Sequence, residues 1–303
     1  MGRRSSQGYA LVLVIWVLVL LTTIAMAFSA NVRTDTRAAI SLSEQVRLRA
    51  AADAAIAHAI HSLMSDQADV SALTGGMTYE MPWPDATLRI TMASESAKID
   101  INYAPRPLLI GLFQAVLPDA PAEAMADALL DWRDRDDRRS PQGAEAAEYR
   151  AAGRSVLPSN RSFQSIAELG QVMGFDAGRL ARLLPHITVY SRRPRIDPYS
   201  ADATVLAAVP GLDSATANDF VAYRETQRQN GEPIRLDMLS VGVRYLERRP
   251  TLSAVNIHTL AISPGGRKLA REAVVRMLGR GTGSRYQLLD WRQTVVQTTE
   301  LQP

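Results

Sequence analysis

An uncharged apolar run from Tyr9 to Phe28 is the feature that most limits what this chain of 303 residues can fold into. Apart from Trp16, Leu11 to Leu21 are an unbroken series of Leu, Val and Ile. About twenty such residues are what an α-helix needs to cross a bilayer core roughly 30 Å thick. The run excludes an ordinary water-soluble chain and predicts a single membrane-crossing helix over residues 9–30. Arg3 and Arg4 precede it. They favour an amino end in the cytoplasm, with everything beyond about residue 30 on the far side.

The leader narrows this further. A conventional secretory signal carries its small residues after the apolar region. Here Gly8 stands before it. Cleavage after Gly8 would discard residues 1–8 and leave the apolar helix as the new amino terminus at Tyr9. The plainer alternative is an uncleaved signal anchor.

The order of basic leader, Gly8, Tyr9, Ala10, Leu11 and Val12 resembles the signal cut by prepilin peptidase in type IV pilins and type II secretion pseudopilins. That resemblance implies N-methylation of Tyr9 after cleavage, although Phe is the usual first mature residue. The fifth mature residue in those proteins is normally Glu; here it is Leu13. A carboxylate inside a bilayer is costly and persists only for a function. In pilins the resemblance implies a pairing with the terminal amine of a neighbouring subunit, which Leu13 cannot make. In this respect the chain resembles the large minor pseudopilins of the general secretion pathway protein K (GspK) family, over nearly its whole length. The resemblance implies a place at the tip of a periplasmic pseudopilus that starts assembly and helps export folded proteins through the outer membrane. It implies the I and J minor pseudopilins, prepilin peptidase and the inner-membrane assembly platform as partners. It also implies a chain anchored in the inner membrane with its C-terminal part in the periplasm. A type IV pilus minor pilin remains an alternative within the same class.

Charge adds little. The 34 basic and 31 acidic residues become 32 against 31 once Arg3 and Arg4 leave with the leader, so nucleic-acid binding gains no support. There is no cysteine, which excludes disulfides, thiolate zinc sites and thiol catalysis.

No Gly or Pro interrupts the chain between Gly8 and Gly75, so one continuous helix from Tyr9 to about Met64 is expected, ended by Gly75-Gly76. Ile56, Ile60, Leu63 and Met64 follow the spacing of one buried helical face, and the spacing is not heptad for enough turns to favour a coiled coil. Met77–Trp83, Ala86–Ala93 and Lys98–Asn102 read as strands. From Pro105 the period turns helical, over Pro105–Val116, Ala120–Arg133, Ala144–Ala152, Ser165–Met173, Asp176–Leu184, Ala201–Ala208 and Ser214–Gln227, with a short extended piece at Ile187–Ser191. Ser253–Ile262, Lys268–Leu278 and Tyr286–Gln293 read as returning strands around Gly-rich turns at Pro264–Gly266 and Gly279–Gly283. The expected fold class is α+β: a pilin-like long N-terminal helix packed on a β-sheet, with a large all-helical domain inserted between strands. The expected divisions are a leader (1–8), the membrane half of the helix (9–30), the pilin-like helix and first strands (31–102), the inserted helical domain (103–247) and the returning strands (248–303). Ile99-Asp100…Ala104…Leu109 recurs as Ile196-Asp197…Ala201…Leu206, either a duplicated module or two similar strand-to-helix junctions, with the Asp or a neighbour as helix N-cap.

The densest chemistry lies at Asp131-Trp132-Arg133-Asp134-Arg135-Asp136-Asp137, followed by Gly143, Glu145, Glu148 and Tyr149. Calcium takes six to eight hard oxygen ligands. A helix end, a loop and the i, i+3 pair Glu145/Glu148 could supply them, although the spacing is not that of an EF-hand. The alternative is a solvated loop in which Arg133, Arg135, Arg138 and Arg139 neutralise the acids. The D-W-x-D-x-D and G-A-E-x-x-x-Y pattern is similar to the calcium-binding loop region of the GspK family. That resemblance implies calcium as the bound ion, with Asp131, Asp134, Asp136, Asp137, Glu145 and Glu148 as its metal residues.

Leu206–Asp213 with Ala217 and Tyr223-Arg224 resembles a helix-hairpin-helix, and Phe163–Phe175 carries a looser version. Asp213 stands where a phosphate-gripping hairpin has its second glycine, so a packing module is the better reading. His58 and His61 fall on a polar helix face, and Trp132 is expected to anchor the acidic loop to the helical core. Gly174-Phe175-Asp176-Ala177-Gly178 has Asp where a nucleophile elbow has Ser. No local catalytic signature appears, so no catalytic residue is assigned. The competing reading is a membrane-anchored periplasmic metal-dependent hydrolase using the acidic cluster.

Overall fold

The computed structural model describes residues 7–65, 75–250, 252–278 and 285–294. Leader residues 1–6 and the turn at 279–283 lie outside the described residues. The first element is one unbroken helix of 58 residues, α1 (Gln7–Met64), with the backbone of Gly8 and Tyr9 in its first turns. At 1.5 Å per residue it is about 87 Å long. Its Leu11–Ser29 segment is long and apolar enough to cross a membrane, and its side chains, Leu13 among them, point away from the rest of the chain.

Past residue 47 the helix acquires a buried face: Leu48, Ala51, Ala52, Ala55, Ile56, Ala59, Ile60 and Leu63. The four alanines let the backbone approach the sheet closely, while the larger residues supply the burial, roughly 1.5–3 kcal/mol for each fully covered Ile or Leu. His58 and His61 are exposed on the other face, as the pattern predicts. The helix ends at Met64, eleven residues before Gly75; Gly75 and Gly76 instead open the first strand. The breaker signal thus marks the start of a strand, not the end of the helix.

The strands β1 (Gly75–Trp83), β2 (Ala86–Ser94), β5 (Ala254–Ile262), β6 (Lys268–Met277) and β7 (Tyr286–Thr294) form one antiparallel sheet in the order β1-β2-β5-β6-β7. β2 and β5 are neighbours in space and 160 residues apart in sequence, Ser94 pairing with Val255. The helical block occupies the interval. α1 lies across β2, β5 and β6, with Leu88, Ile90, Met92, Ile257, Ala273 and Val275 beneath it. Arg271, nearly buried, reaches from β6 to Asp53 of α1 at 2.9 Å.

Two contacts orient the sheet along α1. Arg267, in the β5–β6 turn, pairs with Glu44 at 3.3 Å and with the Ser41 hydroxyl at 2.7 Å. Arg285, just before β7, donates to the Met64 carbonyl at 2.8 Å. The β5–β6 turn therefore lies toward the apolar end of α1. The opposite edge, where the chain leaves β2 and re-enters β5, lies toward Met64. The helical block crowns the end of the sheet farthest from the apolar segment.

That block has its own core, built from α2 (Arg106–Val116), α3 (Ala122–Arg133), α4 (Ala146–Ala151), α5 (Ala177–Leu183), α6 (Ala203–Ala207) and α7 (Ser214–Asn230), with short 3-10 turns between them. Ser165–Met173 is a 3-10 turn (Ile166–Gln171) and not the α-helix its pattern suggests. The junction with the sheet is largely polar. Ser96 meets Ser253 at 2.8 Å, and Arg276 donates to the Tyr190 carbonyl at 3.0 Å.

The internal echo has a structural counterpart. Ile99-Asp100, as β3, pairs in parallel with Ile187-Thr188, as β4, and Ile196 bridges Leu246 in parallel. Each Asp carboxylate accepts the amide two residues on, Asn102 at 2.8 Å and Tyr199 at 2.9 Å. Both aspartates thus shape turns and do not cap helices. Pro105 begins α2 without a side-chain cap, and Asp202 caps α6. The hairpin likeness also has a counterpart: Ser165–Asp176 and Asp202–Asp213 both run from a capping residue through a short turn to a glycine at φ near +90° (Gly174, Gly211) and a helix-capping Asp. Asp213 accepts the Thr216 amide at 2.7 Å, so its carboxylate is committed to α7, as a packing module requires. A Cβ on Gly211 would collide with Val241, and one on Gly242 with Val209, so the two turns lock together only because both residues are glycine.

Candidate metal centre

The acidic loop is built outward from α3. That helix buries Met125, Ala126, Leu129 and Trp132, and on the same covered side it carries Asp127 and Asp131. Asp127 is fully buried and takes a forked bond from Arg106 of α2, at 2.5 and 3.2 Å, together with the Gln142 amide at 3.1 Å. Asp131, one turn on and equally buried, accepts the Ser140 amide at 3.1 Å. Gly143 packs directly on its carboxylate, where any side chain would collide. Two carboxylates at i, i+4 therefore fix the return of the loop at residues 140–143.

Trp132 stacks on Phe163 (centroids 6.3 Å apart, 14° between planes) and tilts against Tyr149 at 5.7 Å. The Tyr149 hydroxyl accepts the Met173 amide at 2.8 Å. The tryptophan anchors the loop to the helical core, as expected. At the start of α4, Glu148 accepts the Glu145 amide at 2.9 Å and pairs with Arg139 at 3.2 Å. These bonds hold the Glu148 carboxyl below its ordinary range, the backbone amide being the larger cause.

Inside this frame four buried acceptor oxygens have no hydrogen-bond partner: Asp134 Oδ1, both oxygens of Glu145, and Asn160 Oδ1. Asn160 sits at φ 46°, a left-handed conformation that Asn tolerates better than most residues. Its amide nitrogen donates to Asp137 Oδ1 at 2.9 Å. Burial, reinforced by Asp131, Asp134, Asp137 and Asp136, pushes the Glu145 carboxyl up to about 7. Burial and the charges of Asp136 and Asp131 push Asp134 up to about 6. Asp131 is raised as well, chiefly by burial.

The arginines relieve only part of this charge. Arg133 turns away to the carbonyls of Ile101 and Ala104, and among the described residues only Arg139 of the four forms an ion pair with these acids, on Glu148. The reading of the segment as an arginine-neutralised loop is therefore replaced by one of acceptors in excess of donors.

Of the six acids singled out from sequence, Asp134 and Glu145 face the unsatisfied region. Asp131 and Glu148 are committed largely to amides, while Asp136 and Asp137 lie exposed on the loop. Asn160 and Asp127 were not anticipated. The turn-forming stretch Pro158-Ser159-Asn160 marks a loop, but nothing local ties it to acids 23 residues earlier. Among the described residues no three His, Asp or Glu side chains are already drawn together as a metal cage. The oxygen-only, net-negative donor set nonetheless fits a hard cation, since unpaired buried acceptors are costly and a cation offsets that cost.

Comparison with known proteins gives a consistent result. Residues 88–192 match the profile of the family described as type II secretion system (T2SS), protein K. The type II secretion system protein K of Dickeya chrysanthemi is 29% identical over 158 residues, covering 51% of this chain and 38% of that protein. The Pseudomonas aeruginosa protein of the same name is 26% identical over 148 residues, covering 45% and 44%. The matched stretches thus span less than half of either relative. In fold the chain is similar to a chain of the crystal structure of the GspK-GspI-GspJ complex from the type 2 secretion system of enterotoxigenic Escherichia coli. The TM-score is 0.59 at 17% identity, covering 84% of this chain and 99% of that one.

Proposed function

Since this chain belongs to the type II secretion system protein K family, we propose that it is a minor pseudopilin seated at the tip of a periplasmic pseudopilus. There it starts assembly and helps folded proteins leave through the outer membrane. The observation that carries the reading is the position of the helical block, which crowns the end of the sheet beside Met64, far from the apolar segment. A subunit stacked above would meet that block. Leu13 supports the same end position, because it offers no carboxylate to a neighbouring terminal amine. The role is structural and steric, not catalytic.

In this reading prepilin peptidase cuts between Gly8 and Tyr9, and the mature chain is held in the inner membrane by residues 9–30 with its remainder in the periplasm. The divisions 31–102, 103–247 and 248–303 then correspond to the periplasmic part of α1 with β1 and β2, the crown, and the returning strands, except that β3, within 31–102, pairs with β4 and packs in the core of the crown. The I and J minor pseudopilins would associate through α1, whose Ile40, Leu42 and Val46 are exposed, and the inner-membrane assembly platform would receive the complex. Calcium would be held by Asp134, Glu145 and Asn160, with Asp137 and Asp136 beside them. It would supply positive charge that fixes the loop without being consumed. Asp127 and Asp131 set the frame, and Trp132 ties it to the core.

Two measurements test this. Mass spectrometry of the membrane-extracted protein should show a chain beginning at N-methylated Tyr9; an intact Met1 overturns the processing. Co-expression with the I and J minor pseudopilins should give a ternary complex that survives gel filtration, and separate elution of all three overturns the assembly role.

A further inference from the structure

Six exposed arginines gather on one ribbon of the crown: Arg192, Arg193, Arg195, Arg244, Arg248 and Arg249. The bridge between Ile196 and Leu246 brings their two segments side by side. Arg195 Nε donates to the Arg244 carbonyl at 3.1 Å, and the Tyr199 hydroxyl to the Arg248 carbonyl at 3.1 Å. Arg276 stands behind them; burial first, and then the charge of Arg192, pushes its guanidinium below the ordinary value. The only acidic residue within the two segments 192–196 and 244–249 is Glu247. Among the described residues, Arg192, Arg193, Arg195, Arg244 and Arg248 form no ion pair with a carboxylate. Leaving Arg249 aside and setting Glu247 against the other five, a chain of near-neutral total charge therefore concentrates a local excess of about four positive charges on one exposed ribbon.

The ribbon's backbone is held from within. Buried Asp100 accepts the Arg192 amide at 2.7 Å and the Ser191 hydroxyl at 3.1 Å. These bonds hold Arg192 at φ 54°, a conformation a long side chain rarely takes. Glu247 N donates to the Ile196 carbonyl, and Ile196 N to the Tyr245 carbonyl, each at 2.8 Å. The ribbon's backbone is thus held at Arg192, Ile196 and Glu247 before any partner arrives, which removes part of the cost of binding.

We propose that this arginine ribbon docks the acidic face of another protein. Position decides the class of partner. In the membrane orientation proposed above, 35 helical residues separate Ser29 from Met64, so the crown stands roughly 50 Å above the anchoring bilayer. That bilayer's own anionic headgroups are out of reach, and over such a distance their field is screened. Guanidinium groups match carboxylates in a two-pronged geometry, and a row of them presents a pattern that a carboxylate-bearing protein surface complements.

The test uses the full chain in detergent micelles, so its outcome does not depend on leader processing or on assembly. Fluorescein-labelled poly-L-glutamate serves as the carboxylate probe, with heparin and phosphatidylglycerol vesicles as the sulfate and phosphate probes, read by anisotropy or co-sedimentation at two salt concentrations. The triple variant Arg193→Glu, Arg195→Glu, Arg248→Glu should weaken polyglutamate binding at least tenfold, and the triple Gln variant by less. Both variants lose the same exposed bond from Arg195 to the Arg244 carbonyl, so their unfolding midpoints should agree with each other and lie within a few degrees of the unaltered chain. A control triple of exposed arginines, Arg135→Glu, Arg138→Glu, Arg150→Glu, should leave binding within twofold. Unchanged polyglutamate affinity in the ribbon variant overturns the proposal. Tighter ribbon-dependent binding of heparin or of vesicles than of polyglutamate overturns the choice of partner.

Discussion

Glu145 gives the sharpest test of the acidic loop. Its residue is only 5% exposed, both carboxyl oxygens lack a partner, and its carboxyl is pushed from 4.5 to about 7 by burial and by four neighbouring aspartates. A carboxyl whose folded-state pKa is raised ionises less readily in the folded chain than in the open one. Between the two values the folded chain holds more protons, so stability falls as pH rises. The penalty is absent below pH about 4.5 and complete above about 7. The full displacement corresponds to ~3 kcal/mol. Glu145 lies under a thin layer of protein, so solvent screening brings the figure to about 2 kcal/mol. Asp134, raised to about 6, acts in the same direction. Its shift is driven partly by the same charges, so the two contributions do not simply add.

The assay is hydrogen exchange of peptides spanning residues 131–149 in the presence of a chelator. After correction for intrinsic exchange rates, the loop should open roughly 30-fold more often at pH 8 than at pH 5. Calcium at a hundred times its dissociation constant should then restore about 2.7 kcal/mol at pH 8. At pH 5, where both carboxyls hold protons, calcium should do much less, because ligands must lose their protons to bind. Equal protection at pH 5 and pH 8 in chelator would refute the electrostatic account. Protection that falls at pH 8 and ignores calcium would leave that account standing and reject the metal.

Three further outcomes follow from the geometry. Asn160→Gly relieves a left-handed φ of 46° while deleting an unpaired oxygen and an exposed bond to Asp137; these oppose each other, so metal-free stability should hold within about 0.5 kcal/mol, and titration calorimetry should show about tenfold weaker calcium binding. Arg106→Ala strands the fully buried Asp127 and should cost about 3 kcal/mol in urea unfolding, clearly more than Asp127→Asn, which removes the buried charge itself. Gly211→Ala combines φ +91° with a collision against Val241 and should cost about 2–4 kcal/mol, of which the added Val241→Ala change should return a part.

What the sequence made legible, and what it hid, follows the range of the forces involved. The 58-residue helix needed only the absence of breakers and a run of apolar residues, both local properties. The strands and the split sheet followed from the switch between periods of 2 and 3.6, since β2 alternates buried and half-buried positions along its length and β5 does so over Val255–Thr259. The boundary at Gly75-Gly76 misled because glycine favours a turn without saying which element precedes it. The acidic loop was legible as composition, since Asp131 to Glu148 are close in sequence, but their division of labour was not. Asp131 spends its oxygens on Ser140, whereas Glu145 spends none, and that difference depends on which amides the fold delivers. Asn160 and Asp127 were invisible for the same reason. One is carried to the loop by the packing of Phe163 on Trp132, and the other is fixed by Arg106 from the preceding helix. Neither contact leaves a spacing in the chain. An acceptor becomes a ligand by being buried beside others without a donor, and that condition is set by tertiary packing. The Asn160→Gly variant therefore discriminates better than removal of any acid: it alters one tertiary contribution to the site and leaves every charge in the sequence motif in place.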